Sequence, residues 1–256
     1  MRLTRDNKPH QHTKCVQSRG VEMQKYDTES YRWLLVACES SRLWNAHDHF
    51  WVEKVRANGA LNSDEVKNFA YIYQTIRSTS EQSRLNVNNF ITKNCNLNPK
   101  DIYIKSIQED VSLALQGEKK NKKVRSNVFV SKLLWVYRPE EWCMHDTLSK
   151  IGLRKISGER FDDKNFHDGF NKIFHLRELT NIECLLKALD IRYDFKSRVA
   201  DKYLMSVGQH IASKTHPPKP LDQDDWHKWV IDRHKGPKAD IGAALEIAAK
   251  LPRMRG

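Results

Sequence analysis

One acidic residue lies between two helical stretches and could take part in catalysis. In SKLLWVYRPEEWCMHDTLSKIGL, residues 131–153, an apolar stretch ends at Pro139 and Asp146 precedes the next stretch. An aspartate in this place is commonly an N-cap that accepts hydrogen bonds from the first backbone amides. The same carboxylate can stabilise a positive charge that builds up during a reaction, and it can activate or orient water. Asp146 is therefore both a candidate cap and a candidate catalytic residue.

Lys132, fourteen residues before Asp146, is the second candidate for a catalytic role. One interpretation is a surface lysine whose stem lies along apolar surface while its amine reaches water. The other is an amine that contacts phosphate or tunes Asp146. Bulky neighbours would exclude water and strengthen such charge interactions; they are Trp135, Tyr137, Trp142 and Met144.

A second cluster of polar side chains lies in RLWNAHDHFW, residues 42–51. His47 and His49 are two residues apart, so on a helix they point about 200° apart, which argues against a shared metal. Asn45 and His49 are four apart and share a face. We expect them to line a pocket, although a helix with an ordinary solvated face fits the same pattern. Five residues are candidates to line a pocket that would hold a base of a nucleic-acid partner, called the base pocket below: Trp135, Trp142, His145, Asn45 and His49.

A lysine-rich turn lies in residues 116–127, QGEKKNKKVRSN. Exposed amides and clustered cations suit a phosphate-binding surface, whereas a charge run is often just a solvated loop. The net charge of +12 favours an anionic partner, first a nucleic acid and second a membrane surface. The predicted DNA-binding residues are Lys119, Lys120, Lys122, Lys123, Arg125 and Asn127.

The stretch around Asp146 resembles the helix-hairpin-helix DNA glycosylase superfamily, in which a catalytic Asp opens a helix in a VDTHVxRxxxRLGL-like run. SNVFVSKLLWVY resembles the preceding helix, RPEEWCM the loop, and HDTLSKIGL the Asp and its helix. The run is most similar to divergent bacterial proteins with an 8-oxoguanine-glycosylase-like fold and a SKxLHFxxPxxFPIxD pattern, and SRVADKYLMSVGQHI resembles their terminal helix. The similarity is specific over about 25 residues.

This resemblance implies an enzyme that extrudes a modified base from double-stranded DNA and excises it, leaving an abasic site. Some such glycosylases act against phages, notably on glucosylated hydroxymethylcytosine. The resemblance places the catalytic aspartate at Asp146. The lyase members carry a nucleophilic Lys about nineteen residues earlier, where this chain has Asn127, which favours a monofunctional hydrolase. The hairpin glycines are also missing, and the lysine-rich turn is expected to substitute for them.

Two other functions remain open from the sequence. Arg42 and His47 form a helical Arg-x4-His pattern that resembles the motif of HEPN ribonucleases. The residue after the arginine is usually polar in that family, but here it is Leu43. A non-catalytic DNA-binding protein would also explain the basic charge.

The elements that must position these residues are predicted to be helical throughout. The expected fold is all-α, with two helical lobes around a cleft: a basic flexible tail over 1–25, a glycosylase-like domain over 26–213, and a Pro-rich linker with a C-terminal helix packed on the domain over 214–256. A small strand pair is an alternative near DIYIKSI or IRYDF. The expected helices cover about 28–56, 64–76, 78–93, 99–115, 128–137, 147–153, 166–174, 181–189 and 195–212.

Composition limits the remaining possibilities. The chain lacks GxGxxG, Walker, GxSxG and HExxH motifs, which argues against nucleotide hydrolysis, dinucleotide binding and zinc proteolysis. Its five cysteines are widely spaced, as expected for free buried thiols in a reducing compartment. There is no apolar stretch of membrane-spanning length. We therefore expect a soluble cytoplasmic protein without cofactor, metal or obligate protein partner.

Overall fold

The computed structural model describes residues 28–75, 79–108 and 126–212, and all nine helices found there pack around a shared apolar core. No strand occurs within these ranges, so the predicted all-α class is confirmed. The helices are α1 Thr28–Asn58, α2 Ser63–Ile72, α3 Glu81–Lys93, α4 Pro99–Gln108, α5 Ser126–Tyr137, α6 Thr147–Ser157, α7 Phe166–Ile173, α8 Leu176–Ala188 and α9 Lys196–Ala212.

The alternative strand pair is wrong. Residues 101–107 lie inside α4, and residues 191–195 form an irregular connection before α9. Ile102, Tyr103 and Ser106 are all buried. Because positions i, i+1 and i+4 fall on one side of a helix but on both sides of a strand, this burial fits the helical form.

Side-chain caps begin several of these helices. Asn62 caps α2 and forms a reciprocal capping box with Glu65, and Ser80 caps α3 by accepting from the Ser83 amide. Gly59 follows α1 at φ +73°, a left-handed conformation that glycine adopts without steric cost. The end of α1 and the start of α2 lie within two residues of the predicted positions, whereas α3 starts at Glu81 and not at the predicted residue 78.

α8 starts five residues before its predicted beginning at residue 181. Its N-cap, His175, makes no side-chain capping bond, and Leu176 is 80% exposed. The first turn therefore carries neither a cap signal nor a buried apolar residue. The predicted tail (1–25), most of the lysine-rich turn and the predicted 214–256 segment lie outside the described residues.

α6 packs directly on α9 through two glycines. A Cβ added at Gly152 would lie 2.0 Å from the carbonyl oxygen of Leu204, and one added at Gly208 would lie 2.0 Å from that of Leu148. The two backbones are therefore in contact, and this contact fixes the N-terminus of α6, with its Asp146 cap, relative to α9.

Two further expectations concern the cysteines and the membrane. Cys38 and Cys143 are buried as predicted, whereas Cys184 is half-buried and Cys95 is exposed. Among the described residues, no helix has both the length and the apolar character needed to cross a bilayer.

Candidate active site around Asp146

Asp146 is the N-cap of α6. Its Oδ1 atom accepts hydrogen bonds from the backbone amides of Leu148 (2.8 Å) and Ser149 (3.0 Å). The side chain is half-buried, and the positive end of the helix dipole favours its negative charge. The predicted cap is thus confirmed, and the cap holds the carboxylate through one of its two oxygens.

Lys132 extends from α5 towards the same region. Its Nζ donates to the backbone carbonyl oxygen of Tyr73 at 3.1 Å. Burial lowers the pKa of Lys132, and the negative charge of Asp146 acts against that shift. The half-buried amine is therefore held beside other charged groups and does not extend freely into water. The negative charge of Asp146 favours its protonated form.

Ser149 links Asp146 to a second carboxylate. Its hydroxyl donates to Oδ1 of Asp201 at 2.6 Å and lies 3.5 Å from Oδ1 of Asp146. Asp201 is fully buried and accepts a hydrogen bond from Arg198. Burial raises the pKa of Asp201 to about 6, although Arg198 opposes this effect. Charged groups on α5, α6 and α9 thus form one continuous cluster.

Asp48 on α1 is the centre of a neighbouring buried network that the sequence did not reveal. The hydroxyls of Tyr73 and Tyr193 donate to its Oδ1 and Oδ2, each at 2.5 Å. Lys202 Nζ lies 3.6 Å from Oδ2, and Arg198 Nε lies 3.9 Å from it. Asp48 is fully buried, and its negative charge is surrounded by donors and cations.

Lys202 belongs to both a charge network and an aromatic cluster. Its Nζ donates to the backbone oxygen of Ser40 at 3.2 Å and lies 5.7 Å from the Trp44 ring centroid and 5.2 Å from that of Tyr193. Burial lowers the pKa of Lys202 to about 7; the neighbouring Arg198 adds to this shift, and Asp48 opposes it. Burial thus disfavours the charged form of the amine, whereas the nearby Asp48 carboxylate favours it.

A cavity of about 340 Å³ lies beside Lys202, between α1, α6 and α9. It is larger than a single-water void and lies at the lower end of the range of small-molecule sites, roughly 300–1,000 Å³. None of the five predicted base-pocket residues lines it. The lining residues are Trp33, Ser40, Trp44, Leu148, Arg198, Lys202, Met205, Ser206 and Gln209.

Two of the predicted base-pocket residues, Trp142 and His145, form a buried support for the Asp146 cap. Ser131 Oγ contacts His145 Nδ1 (2.9 Å) and accepts from the indole Nε1 of Trp142 (3.3 Å). Tyr103 OH contacts His145 Nε2 at 3.0 Å. Burial lowers the pKa of His145 to about 4, because the enclosed ring favours its neutral form. This packing fixes the loop that carries Asp146.

The other predicted pocket residues lie apart from this support. Trp135 is fully buried against Phe195, with ring centroids 5.2 Å apart. The His49 ring also packs against Phe195, with ring centroids 4.7 Å apart. Asn45 is half-buried on α1. Phe195 therefore connects Trp135 to His49, whereas Trp142 packs against Tyr103 and His167.

The remaining candidates are distributed as follows. Asn127 on α5 donates to Asp163 Oδ2 at 2.7 Å, and its predicted DNA-binding neighbours Lys119, Lys120, Lys122, Lys123 and Arg125 lie outside the described residues. Arg42 and His47 are both exposed on α1, and the His47 ring lies 5.7 Å from that of Trp44. The described residues contain no group of His, Cys, Asp or Glu side chains suited to a metal ion.

Sequence reasoning missed Asp48, Asp201, Arg198 and Lys202. One signal was present: Arg198, Asp201 and Lys202 are spaced by three and four on a helix that also carries Val199 and Leu204. Charges that fall among buried positions must be paired. Their partner Asp48 is distant in sequence and stands between two histidines that attract more notice.

Comparisons with protein-family models, curated proteins and solved structures found no match to this chain. Its function is therefore inferred from the residues of the site and from the motif around Asp146.

Proposed function

We propose that the protein is a DNA glycosylase that removes a modified base through Asp146. The observation that carries the proposal is the arrangement of Asp146 and Lys132: a carboxylate held at a helix N-terminus through one oxygen, beside a half-buried amine. The described residues make no hydrogen bond to the second oxygen, Oδ2, of Asp146. That oxygen is available to a substrate or to water.

The chemistry follows from electrostatics. Cleavage of an N-glycosidic bond leaves positive charge on the deoxyribose, and a preorganised carboxylate stabilises it without reorganising during the reaction. The backbone amides of Leu148 and Ser149 fix the carboxylate in place. The base leaves with the electron pair of the broken bond and takes up a proton from solvent. Water then adds to the sugar carbon, with Asp146 orienting it and accepting its proton, which leaves an abasic site.

Lys132 is the positioning partner in this scheme. Its ammonium attracts the Asp146 carboxylate and is itself anchored on the carbonyl of Tyr73. The family's nucleophilic lysine position is occupied by Asn127, which is bonded to Asp163. We therefore propose a monofunctional hydrolase that does not cut the strand after base loss.

The charge of the chain supports DNA as the partner. A net charge of +12 favours binding to a polyanion and steers it towards the protein. The motif around Asp146 further suggests phage DNA with glucosylated hydroxymethylcytosine as the substrate, and a role in antiphage defence in the cytoplasm.

The test is to incubate the purified protein with DNA carrying glucosylated hydroxymethylcytosine, with DNA carrying unglucosylated hydroxymethylcytosine, and with plain DNA. Abasic sites are then labelled through their aldehyde. We expect abasic sites in modified DNA, and a loss of roughly 10²–10³-fold in rate with Asp146→Asn. Asn retains an acceptor for the cap but lacks the charge.

Asp162→Asn is the matched control, because Asp162 Oδ1 also accepts from two backbone amides but lies in an exposed turn. It should leave the rate unchanged. Abasic sites absent from every DNA, or undiminished by Asp146→Asn, would rule out the mechanism. RNA cleavage that disappears with His47→Ala would point to the ribonuclease alternative instead.

A further inference from the structure

The cavity beside Lys202 has the composition of a site for a flat, aromatic ligand. Trp33 and Trp44 contribute indole rings to its wall, and Leu148 and Met205 contribute apolar surface. Arg198 and Lys202 bring cations to the same wall. A pocket with mostly apolar lining and a few placed polar groups is typical of small-molecule recognition.

Lys202 retains capacity to bind a ligand. An ammonium has three N–H donors. One is directed to the Ser40 carbonyl at 3.2 Å, and a second faces the Asp48 carboxylate, whose Oδ2 lies 3.6 Å away. At least one donor is therefore available to an acceptor atom within the cavity. Lys202 is itself only 4% exposed, so such a bond would form away from bulk water.

The cavity is joined to Asp146 by two short connections. Leu148 lines the cavity, and its backbone amide donates to Asp146 Oδ1 at 2.8 Å. Arg198 also lines it and is bonded to Asp201, which Ser149 in turn connects to Asp146. The cavity wall thus includes a residue, Leu148, that is two positions from Asp146 and bonded to its carboxylate.

We propose that this cavity receives the base extruded from DNA, with Trp44 as a stacking surface and Lys202 as the donor to an acceptor atom on the base. The assignment rests on the proposed glycosylase function, which supplies the extruded base. Extruded bases are generally held by aromatic faces and by hydrogen bonds to their edges. This proposal assigns the base to the cavity beside α1 and α9, and not to the residues around Trp142 that the sequence predicts.

The experiment measures the binding of free bases, so it is independent of bond cleavage. Saturation-transfer NMR is recorded with cytosine, 5-hydroxymethylcytosine, guanine and 8-oxoguanine on the full chain. We expect at least one base to bind, and its affinity to fall about tenfold or more with Lys202→Met, the loss expected for one hydrogen bond to a charged group.

Two further variants separate the cavity from the rest of the molecule. Ser206→Trp adds bulk to the cavity wall without removing a charge and should abolish binding. Asn68→Trp adds the same bulk at an exposed position on α2 that does not line the cavity, and it should bind as the wild type does. Binding unaffected by Ser206→Trp would show that the base sits elsewhere.

A measurement on the wild-type protein covers the case in which both cavity variants fail to fold. In protein carrying ¹³C at the methionine methyl groups, the Met205 resonance should shift when the base is present, because Met205 lines the cavity, while that of Met144, which does not line it, should stay in place. A Met205 resonance that does not shift at saturating base, or no binding of any base, would overturn the assignment. Either result could occur while abasic sites still form, so the glycosylase proposal is tested separately.

Discussion

Asp48 and Asp146 are two carboxylates of the same helical core, and they differ in how many of their oxygens accept hydrogen bonds. Both oxygens of Asp48 accept tyrosine hydroxyls, two cations lie within 4 Å of Oδ2, and the residue has no exposure. Asp146 is half-buried, and the hydrogen bonds that it accepts from the described residues all go to Oδ1. A buried charge that is fully bonded serves the fold, whereas a carboxylate held through one oxygen can still bind a substrate.

The largest expected effect is on stability, from Asp48→Ala. Removing this carboxylate leaves Arg198 and Lys202 buried near each other with less compensation. Breaking a buried charge pair costs about 3–5 kcal/mol, so the free energy of unfolding should fall by that amount. Urea denaturation followed by circular dichroism measures it. Asp146→Asn serves as the comparison, and an equal loss in both variants would contradict the distinction between the two carboxylates.

The next effect concerns His145, the buried neighbour of Asp146. Burial lowers the pKa of His145 from 6.5 when exposed to about 4 in the folded protein. The charge of Asp163 opposes this shift, and that of Lys150 adds to it. As pH falls from 6.5 towards 4, the unfolded chain therefore binds a proton that the folded chain does not. Stability contributed by neutral His145 is present above pH 6.5 and is lost in this window, by roughly 3 kcal/mol.

The His145 effect must be separated from that of Asp201, whose pKa is raised from 3.8 to about 6. Between these two pH values the contribution of Asp201 to the free energy of unfolding increases as the pH falls, which is opposite to that of His145. We expect the unfolding free energy of the wild type to lose roughly 3 kcal/mol relative to His145→Gln on acidification. Parallel urea titrations at neutral and acidic pH give the difference. A constant gap between the two proteins across this range would refute the assignment of a neutral, buried His145.

The third prediction tests the backbone contact that joins the two regions. Gly152→Ala places a methyl group 2.0 Å from the Leu204 carbonyl oxygen. α6 and α9 must separate, so we expect a loss of about 1–3 kcal/mol in the free energy of unfolding, as for overpacked cores. Base excision should fall as well, because α6 carries Asp146 and α9 carries Asp201.

Gly169→Ala is the control for this contact. There the added methyl meets ring atoms of Phe161, a half-buried side chain, rather than backbone. A side chain can turn aside more readily than a helix can move, so the loss should be smaller. A Gly169→Ala loss as large as that of Gly152→Ala would argue against a special role for the α6–α9 contact.

How far the sequence predicts this molecule depends on how local each feature is. The cap at Asn62 and the cap at Asp146 involve residues within three positions, so both are readable from the sequence. The α8 start at Leu176 lacks any cap bond, so it is not readable. The sequence predicts a helix over 99–115 but leaves a strand pair open as an alternative, because the burial of Tyr103 and Ser106 depends on distant neighbours.

The candidate site shows the same division. Asp146 and Lys132 are joined through a short segment and could be proposed together. The Asp48 network brings together residues 48, 73, 193, 198 and 202. They meet only because α1, the end of α2, the connection before α9 and α9 itself pack together. Trp142 and His145 lie close to Asp146 in the sequence and are predicted to line the base pocket, but their side chains pack against Ser131, Tyr103 and His167.

The smallest expected effect separates the two roles of Asp146. Asp146→Ala removes the acceptor of the Leu148 and Ser149 amides, and a lost N-cap typically costs about 0.5–2 kcal/mol. Asp146→Asn keeps an acceptor and loses only the favourable charge at the helix N-terminus, about 0.3–1 kcal/mol. Thermal or urea unfolding should therefore rank the wild type above Asn and Asn above Ala. Both variants should lose base excision alike, because neither has a carboxylate. If instead Asn retained the activity and Ala lost it, the cap alone would account for the role of Asp146, and its second oxygen would have no part in the chemistry.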